Sequence, residues 1–436
     1  MTGASTSDLQ FEPMPPLALA FVLGSVLWTI VSLALSLRQA AHVRRHRDAV
    51  PAAFTDSVSL AEHRKAADYT IAREKLARIE AMIALALALF WAFGGIDRLY
   101  GAVAAAMPAS LGRGVAFLIM ASAVGIVCGL PADIYRAFVI EEKFGFNRTT
   151  PLMFALDHLK QWALSLLIGV PLLFACLWAM RGFNGLWWLW TWVAILVLMV
   201  SAPAIYVRLI APRFNTFTPL ENGAMRTRIE ELLQRAGFRA SGLFVMDASR
   251  RTAHGNAYFI GFGRTKRIVL FDTLLAGSPP AEIEAVIAHE LGHFRHRHVI
   301  FGLVRGAAIS FAALAAFGWL CRQAWLLPSF GVTHADDALS LFVCLLMFGV
   351  VGPLLAPVGN WISRRNEFQA DAFARVAVGA EPMIGALTRL ARDNAATLTP
   401  DPLYALAHHS HPPVPLRVRQ LRLESSGESG LVTAAA

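Results

Sequence analysis

The chain has 436 residues, of which 56% are hydrophobic and only 16% are charged, whereas soluble domains carry about 25% charged residues. This composition excludes a disordered chain, argues against a single water-soluble domain, and predicts a protein that spans a lipid bilayer. The formal net charge is +9. In a membrane protein such an excess is typical of basic cytoplasmic loops, so we expect no nucleic-acid partner.

Seven apolar stretches are long enough to cross the bilayer, since a spanning helix needs about 20 residues. The predicted spans are residues 15–37, 80–103, 112–135, 161–180, 185–210, 299–321 and 338–361. Basic residues are concentrated in alternate loops, above all between the first two spans. The positive-inside rule therefore puts the N-terminus outside. It puts four segments in the cytoplasm, namely residues 39–75, 136–160, 212–298 and 362–436.

The main soluble insert follows the fifth span. Residues 221–236 have helical periodicity and are followed by Gly237, a typical helix terminator. Residues 243–248 predict a strand. A hairpin is predicted from NAYFIGF (256–262), the turn GRTK (263–266) and RIVLFD (267–272). The last helix of the insert is expected to run without a break through residues 285–304 into the sixth span.

Residues 289–293, His-Glu-Leu-Gly-His, form an H-E-x-x-H motif on that helix. Residues i and i+4 share a helical face, so the imidazoles of His289 and His293 can reach one metal ion. Zinc suits such ligands and leaves a position for water. Glu290 is adjacent and can act as general base toward that water. The motif alone is only moderately specific, because membrane helices also use His and Glu for polar contacts between helices.

A third ligand is available where the seventh span ends, in RRNEFQADAFA (364–374). Glu367 and Asp371 are four residues apart on one helical face. One carboxylate can bind zinc while the other holds a ligating histidine through its second nitrogen. The alternative is a solvated helix face on which the two carboxylates pair with Arg364 or Arg375.

Three segments in this order resemble the type I CAAX prenyl endopeptidase family of integral-membrane zinc proteases. They are HELGHFRHRH (289–298), RRNEFQADAFA (364–374) and HHSHPPVPLRVRQL (408–421). Residues 254–275 resemble the stretch before the family's zinc helix, and residues 140–150 resemble its N-terminal membrane region. The resemblance covers residues 65–423. It implies a mainly α, polytopic membrane protein with seven transmembrane helices in a barrel around a chamber. A small α+β zinc metalloprotease domain, with the H-E-x-x-H helix and a short β-hairpin, is expected on the cytoplasmic side.

The resemblance also implies roles for single residues. One zinc ion per chain is held by His289, His293 and Glu367, with Glu290 as the base and Asp371 as the residue that orients a ligating histidine. His411 and Arg417 are expected near the substrate and the developing oxyanion. The segment Asn256, Ala257, Tyr258 and Phe259 is expected to be an edge strand that pairs with the substrate backbone.

The chain accordingly divides into four expected regions. Residues 1–211 form the N-terminal membrane region with five spans and a basic cytoplasmic loop, and residues 212–298 form the soluble catalytic insert. Residues 299–361 contain spans six and seven. Residues 362–436 contain the helix of the third zinc ligand and a C-terminal catalytic segment.

The sequence thus predicts a membrane endopeptidase that cleaves near the C-terminus of a peptide or protein by Glu-assisted attack of zinc-bound water. The Ala- and Arg-rich composition suggests a bacterial member in the inner membrane, which leaves open whether the natural substrate is prenylated or only membrane-associated. Two alternatives remain. One is an HtpX-type quality-control protease, in which we expect fewer spans before the motif. The other is a non-enzymatic membrane protein with a vestigial motif.

Overall fold

The structure is a computed structural model, and it describes residues 14–183, 185–238, 240–260 and 267–425. The helices are α1 (Pro16–Arg45), α2 (Leu60–Phe90), α3 (Ile96–Ala106), α4 (Leu111–Tyr135), α5 (Pro151–Gly182), α6 (Trp187–Ile205), α7 (Ala224–Arg235), α8 (Asp272–Gly277), α9 (Pro280–Arg295), α10 (His298–Leu320), α11 (Asp337–Val378), α12 (Ala380–Asp393), α13 (Pro402–His408) and α14 (Val414–Ser425). The strands are β1 (Phe217–Pro219), β2 (Gly242–Met246), β3 (Ala257–Ile260) and β4 (Arg267–Phe271). This mainly helical chain with one small sheet confirms the predicted fold class.

Seven helical segments within the described residues are long and apolar enough to cross a bilayer. They are α1, α2 together with α3, α4 with the turn that follows it, α5, α6, α10 and α11. Each coincides with one of the seven predicted spans, so that prediction is confirmed. The second segment is kinked between α2 and α3, where Gly94 has a φ of 92° that glycine adopts without steric cost.

The basic segment after the first span is largely helical, although we expected a loop. α1 continues to Arg45, and α2 begins as early as Leu60. Ser59 caps α2, because its hydroxyl accepts from the Glu62 amide while the Glu62 carboxylate accepts from the Ser59 amide. The hydropathy pattern shows only the apolar part of each helix. The polar continuations stay helical because they are capped and packed against each other.

The sheet has the strand order β1-β2-β4-β3. β2 and β4 are parallel, while β1 and β3 are antiparallel to their neighbours. The predicted helix, strand and hairpin strands of the insert correspond to α7, β2, β3 and β4. Gly237 follows α7 with a φ of 64°, as a helix terminator requires. The predicted GRTK turn and the end of the NAYFIGF strand, residues 261–266, lie outside the described residues.

The expectation of one unbroken helix from the metal motif into the sixth span is wrong. α9 ends at Arg295, Arg297 takes a left-handed φ of 58°, and α10 starts at His298. Such a backbone costs a non-glycine residue roughly 1–2 kcal/mol. The break separates two helices that lie in different environments. α9 is buried from Ile283 to His289, whereas α10 is largely exposed and is apolar enough to cross a bilayer.

One long helix connects the membrane part to the soluble part. α11 has 42 residues and is therefore about 60 Å long. Its first turns are buried with α1, α3, α4 and α5 in one apolar cluster. Its later turns contact a second apolar cluster formed by the sheet with α7, α9, α12 and α14. The residues in the later turns of α11 are thus held by a helix that is anchored in both apolar clusters.

Candidate metal centre

The centre begins on one face of α9. His289 and His293 are one helical turn apart, and their Nε2 atoms lie 3.3 Å from each other. His289 is 7% exposed, and the residues before it from Ile283 onward are buried against the sheet and neighbouring helices. His293 is half-buried. The two imidazoles therefore point at a common position that is closed on the His289 side and more open on the His293 side.

α11 brings a carboxylate to the same position. Glu367 Oε2 lies 3.4 Å from His289 Nε2, and Glu367 Oε1 lies 3.3 Å from His293 Nε2. One ligand atom from each of the three residues lies within 4.8 Å of the other two. Glu367 is 4% exposed. The structure thus brings together the three residues that the sequence analysis expected to hold the metal.

The close approach of α9 and α11 depends on a glycine inside the motif. A Cβ atom at Gly292 would lie 2.7 Å from the Cα atom of Ala370, a distance that real side chains do not reach. Ala370 is itself fully buried. The small residues at this crossing let the backbones come close enough for Glu367 to reach both histidines. The motif by itself gives this glycine no role, because glycine has no functional group from which a role could be inferred.

A buried ion pair supports His289 from behind. Asp371 Oδ1 lies 2.8 Å from His289 Nδ1. Arg417 donates to the same carboxylate from Nη2 at 2.6 Å and from Nε at 2.7 Å. Burial lowers the pKa of His289, but the hydrogen bonds to Asp371 and Glu367 together raise it to about 8. Burial also lowers the pKa of Arg417, and the charge of Asp371 raises it above its ordinary value.

A different set of groups supports His293. Its Nδ1 lies 2.9 Å from Nδ1 of His298, whose Nε2 lies 2.8 Å from Oε1 of Gln369. If His293 presents the lone pair of Nε2 to a metal, its Nδ1–H donates to His298, and His298 donates from Nε2 to the amide oxygen. The donors and acceptors along this chain are mutually consistent. The sequence analysis missed His298, which only the turn at Arg297 places beside His293.

Glu290 follows His289 on α9 and is half-buried. Burial raises its pKa above the usual carboxyl value, while the nearby histidines His289 and His293 act in the opposite direction. A carboxylate with a raised pKa accepts a proton more readily near neutral pH than an exposed one. Its position beside both histidines and its proton affinity are those expected of a general base.

His411 and Arg417, the two residues expected near the substrate, differ in how exposed they are. His411 Nε2 lies 3.3 Å from Glu367 Oε1, and 65% of its side chain is exposed. Arg417 is 8% exposed and lies 3.6 Å from Glu367 Oε2 while it holds Asp371. Both residues belong to the centre. Only His411 is accessible from outside it, whereas Arg417 contacts the carboxylates behind the histidines.

The segment expected to hold substrate lies on β3, at one edge of the sheet. The amide of Phe271 on β4 donates to the Asn256 carbonyl, so the alternation of an antiparallel pair turns the Tyr258 backbone toward β4 as well. The same alternation turns the backbone groups of Ala257 and Phe259 toward the free edge. The side-chain oxygen of Asn256 accepts from the Ala257 amide at 2.8 Å. Of the four expected residues, Ala257 and Phe259 therefore offer their backbone groups outward.

The donor set fits a divalent cation. Oε2 of Glu367 is buried and has no hydrogen-bond partner in the described part of the chain. Two imidazole nitrogens face each other beside it. A cation between them would satisfy the buried oxygen and both nitrogens, and two imidazoles with one carboxylate are typical ligands of zinc at a site that keeps one open position.

Two family models match the chain. Residues 39–216 match the model described as "CAAX prenyl protease N-terminal, five membrane helices". Residues 219–425 match "Peptidase family M48". The boundary between the matches falls just after the fifth membrane segment, close to β1.

Individual proteins show the same similarity. A CAAX prenyl protease 1 homolog from Arabidopsis thaliana is 37% identical over 300 residues, which are 68% of this chain and 70% of that protein. CAAX prenyl protease 1 from Saccharomyces cerevisiae is 34% identical, covering 72% of this chain and 73% of that protein. The crystal structure of S. mikatae Ste24p superimposes with a TM-score of 0.87 at 28% identity, covering 94% of this chain and 100% of that one. These findings confirm the resemblance seen in the motifs. The three named relatives are eukaryotic, and a bacterial source stays a prediction.

Proposed function

The chain belongs to the CAAX prenyl protease 1 family of membrane metalloendopeptidases, and we propose that zinc is its metal and that it cleaves near the C-terminus of its substrate. It is an integral, multi-pass membrane protein whose substrate is a peptide or protein. The observation that carries the proposal is the convergence of His289, His293 and Glu367 on one position, with an unpartnered buried oxygen facing it. We propose these three residues as the metal ligands.

The bound metal supplies Lewis-acid activation of water and of the scissile carbonyl. Glu290 accepts the proton from the attacking water and delivers it to the leaving amine. His411, accessible beside Glu367, donates a hydrogen bond to the substrate oxygen on which negative charge develops. Asp371 holds His289 in the tautomer that presents Nε2 to the metal. Arg417 acts through Asp371 and is therefore a positioning residue rather than a group that contacts substrate.

The substrate backbone is proposed to extend the sheet at β3. An extended peptide beside a free strand edge forms main-chain hydrogen bonds that tolerate varied side chains. The groups available for this pairing are the outward carbonyl of Ala257 and the outward amide and carbonyl of Phe259, because those of Tyr258 face β4 and the Ala257 amide already donates to Oδ1 of Asn256. Proline at Phe259 should therefore raise KM, since it deletes an outward donor. Proline at Tyr258 would instead disturb the sheet itself.

The proposed topology places the N-terminus outside and the metal centre in the cytoplasm, and in a bacterial cell the membrane would be the inner one. The support is the Lys/Arg distribution. The four regions of the chain divide at residues 211, 298 and 361 in this scheme. Single cysteines at Asp56 and at Asp337, in a chain without its four native cysteines, should react with an impermeant thiol reagent from opposite sides. Reaction from the same side would refute the topology.

The decisive experiment compares three substrates with the purified protein, each with and without a chelator. They are a farnesylated C-terminal peptide, its unprenylated twin and an unfolded membrane protein. We expect the farnesylated peptide to be cleaved near its C-terminus, the chelator to stop cleavage, and stoichiometric zinc to restore it. Preferential cleavage of the unfolded protein would favour the quality-control function instead.

Variants test the proposed roles. Glu290→Gln should retain zinc and lose about 10²–10⁴-fold in turnover, because only the base is removed. Metal analysis of His289→Ala and Glu367→Ala should show loss of zinc. His411→Ala should lower kcat by about 100-fold with zinc content unchanged. His409→Ala is the matched control, since His409 and His411 line one cavity and His409 forms no hydrogen bond or ion pair with a proposed ligand among the described residues. Normal turnover of Glu290→Gln would exclude the mechanism.

A further inference from the structure

A large polar cavity opens beside His411. Its volume is about 820 Å³, within the range of roughly 300–1,000 Å³ that accommodates small-molecule and short-peptide ligands. Its walls come mainly from α2, from the segment between α12 and α13, from α13 and from the segment between α13 and α14, with single residues from α1, from the turn after α4 and from the segment before β3. Because His411 contacts the proposed ligand Glu367, one end of this cavity adjoins the metal centre. A peptide that is held at the centre can therefore extend into it.

Several of the charged or titratable side chains in the cavity wall have polar partners, although Oε2 of the buried Glu74 has no hydrogen-bond partner among the described residues. Arg136 forms ion pairs with Glu80 and Asp133. Glu74 accepts a hydrogen bond from the hydroxyl of Tyr404 at 2.7 Å. A histidine in the wall, His254, lies 3.6 Å from a carboxylate oxygen of Glu141. Of the two arginines in the wall, Arg73 forms no ion pair among the described residues.

Arg73 has no carboxylate within 4 Å of its guanidinium in the described residues. Its side chain is exposed, and its guanidinium carbon lies 5.5 Å from the centre of the Tyr69 ring, which is a stacking distance. Arg73 also borders a second cavity, of about 620 Å³, whose lining likewise includes Tyr69, Arg136 and His254. Arg73 precedes the predicted span 80–103 and lies in the basic segment that is proposed to face the cytoplasm, so its guanidinium can face water. Here the cation is presented to the cavity and kept in place by an aromatic ring.

We propose that Arg73 binds the free C-terminal carboxylate of the peptide substrate. The proposal rests on the proposed function, since only an enzyme that acts near a C-terminus meets that group in its cavity. A guanidinium presents two parallel N–H groups that match a carboxylate, and such pairs are stronger and more directional than those of lysine. With the carboxylate fixed at Arg73 and the scissile bond fixed at the metal centre, the span between them sets how many residues are released.

The test compares a farnesylated peptide carrying a free C-terminal carboxylate with the same peptide carrying a C-terminal amide. The wild-type protein should cleave the acid with a kcat/KM about tenfold or more above that of the amide, as expected for a charge-assisted hydrogen bond. Arg73→Gln should lower kcat/KM for the acid to the level of the amide and leave the amide unchanged. Arg73→Lys should restore part of the preference. Lys75→Gln is the matched control, because Lys75 is an exposed cation on the same helix outside this cavity wall.

Equal cleavage of acid and amide by the wild-type protein would overturn the role of Arg73 and leave the endopeptidase function intact. An equal loss for both peptides in Arg73→Gln would also overturn it, and would assign Arg73 to balancing the buried charge of Glu74. Fluorescence anisotropy with both labelled peptides on the Glu290→Gln protein decides the matter if neither peptide is cleaved. Tighter binding of the acid than of the amide, lost when Arg73→Gln is added, supports the carboxylate site without any cleavage. Equal binding of the two peptides refutes it.

Discussion

The two histidines of the metal centre are held in opposite ways. His289 is buried, and its second nitrogen contacts Asp371, which is fixed by Arg417 from α14. His293 is half-buried, and its Nδ1 contacts Nδ1 of His298 at the start of α10, whose Nε2 in turn contacts the amide oxygen of Gln369 on α11. One support is an ion pair inside the protein, and the other is a neutral hydrogen-bond chain near the membrane.

This difference indicates that the two proposed metal ligands on one helix are held with different firmness. A buried charge pair costs desolvation, but once it is formed it is expensive to break, so it fixes His289 firmly. A neutral hydrogen-bond chain near water costs less to form and less to disturb, so His293 is held less firmly than His289. We therefore expect damage to the His289 support to be structural, and damage to the His293 support to affect mainly metal affinity.

The largest effect is expected for Arg417→Ala. This change leaves Asp371 charged, 2% exposed and without its partner, which costs about 3–5 kcal/mol. The protein should lose metal and unfold at a clearly lower temperature in detergent, as measured by metal analysis and thermal unfolding. Arg375→Ala is the control, since Arg375 also joins α11 to α14 through Glu424 but is about 30% exposed, and it should cost at most about 1 kcal/mol. Similar losses in both variants would contradict the distinction.

An intermediate effect is expected for Gly292→Ala. Its methyl group would push α9 and α11 apart at Ala370, and overpacking of this kind costs about 1–3 kcal/mol. Because Glu367 bridges both histidines, metal affinity should fall together with stability. Gly277→Ala places a methyl group where no atom lies within 4 Å and should leave both quantities unchanged. Full zinc affinity in Gly292→Ala would show that the helices can separate without moving the ligands.

His298→Ala should weaken metal binding without unfolding the protein. Loss of the group that orients a ligating histidine typically reduces metal affinity by about 10–100-fold. Competition with a zinc indicator measures this affinity, and thermal unfolding of the metal-free protein should be nearly unchanged. His296→Ala serves as control, because this exposed neighbour stacks on His298 and forms no side-chain hydrogen bond with His293 among the described residues. Equal zinc affinities of the two variants would show that His298 does not orient His293 for metal binding.

The smallest effect concerns the pH dependence of zinc affinity, which tests whether His289 is protonated before the metal binds. The pKa of His289 in the metal-free protein is raised to about 8. Below that pH the metal must displace a proton from His289, so apparent zinc affinity should rise with pH and level off above about 8. Asp371→Asn removes a charge that raises this pKa, and the plateau should then begin at lower pH. A zinc affinity independent of pH between 6 and 8.5 would contradict the protonated state of His289.

Local patterns identified much of this arrangement because they depend on neighbours along the chain. Apolar runs of about 20 residues predict spans wherever a helix must hide its backbone from lipid. The four-residue spacing of His289 and His293, and that of Glu367 and Asp371, places each pair on one helical face. Neither pattern indicates which carboxylate lies beside the imidazoles. That choice follows from the crossing at Gly292, which brings Glu367 to both Nε2 atoms and leaves Asp371 for Nδ1 of His289.

The sequence by itself determined the membrane-spanning architecture, the helix that carries the metal motif and the residue types of the centre, since these depend on composition and on periods of a few residues. The tertiary structure alone decided that Arg417 holds Asp371, that the turn at Arg297 brings His298 to His293, and that the Tyr258 backbone faces β4. These relations join elements far apart in the chain. They depend on how closely helices approach and on how strands are registered, and no local period of the sequence encodes either.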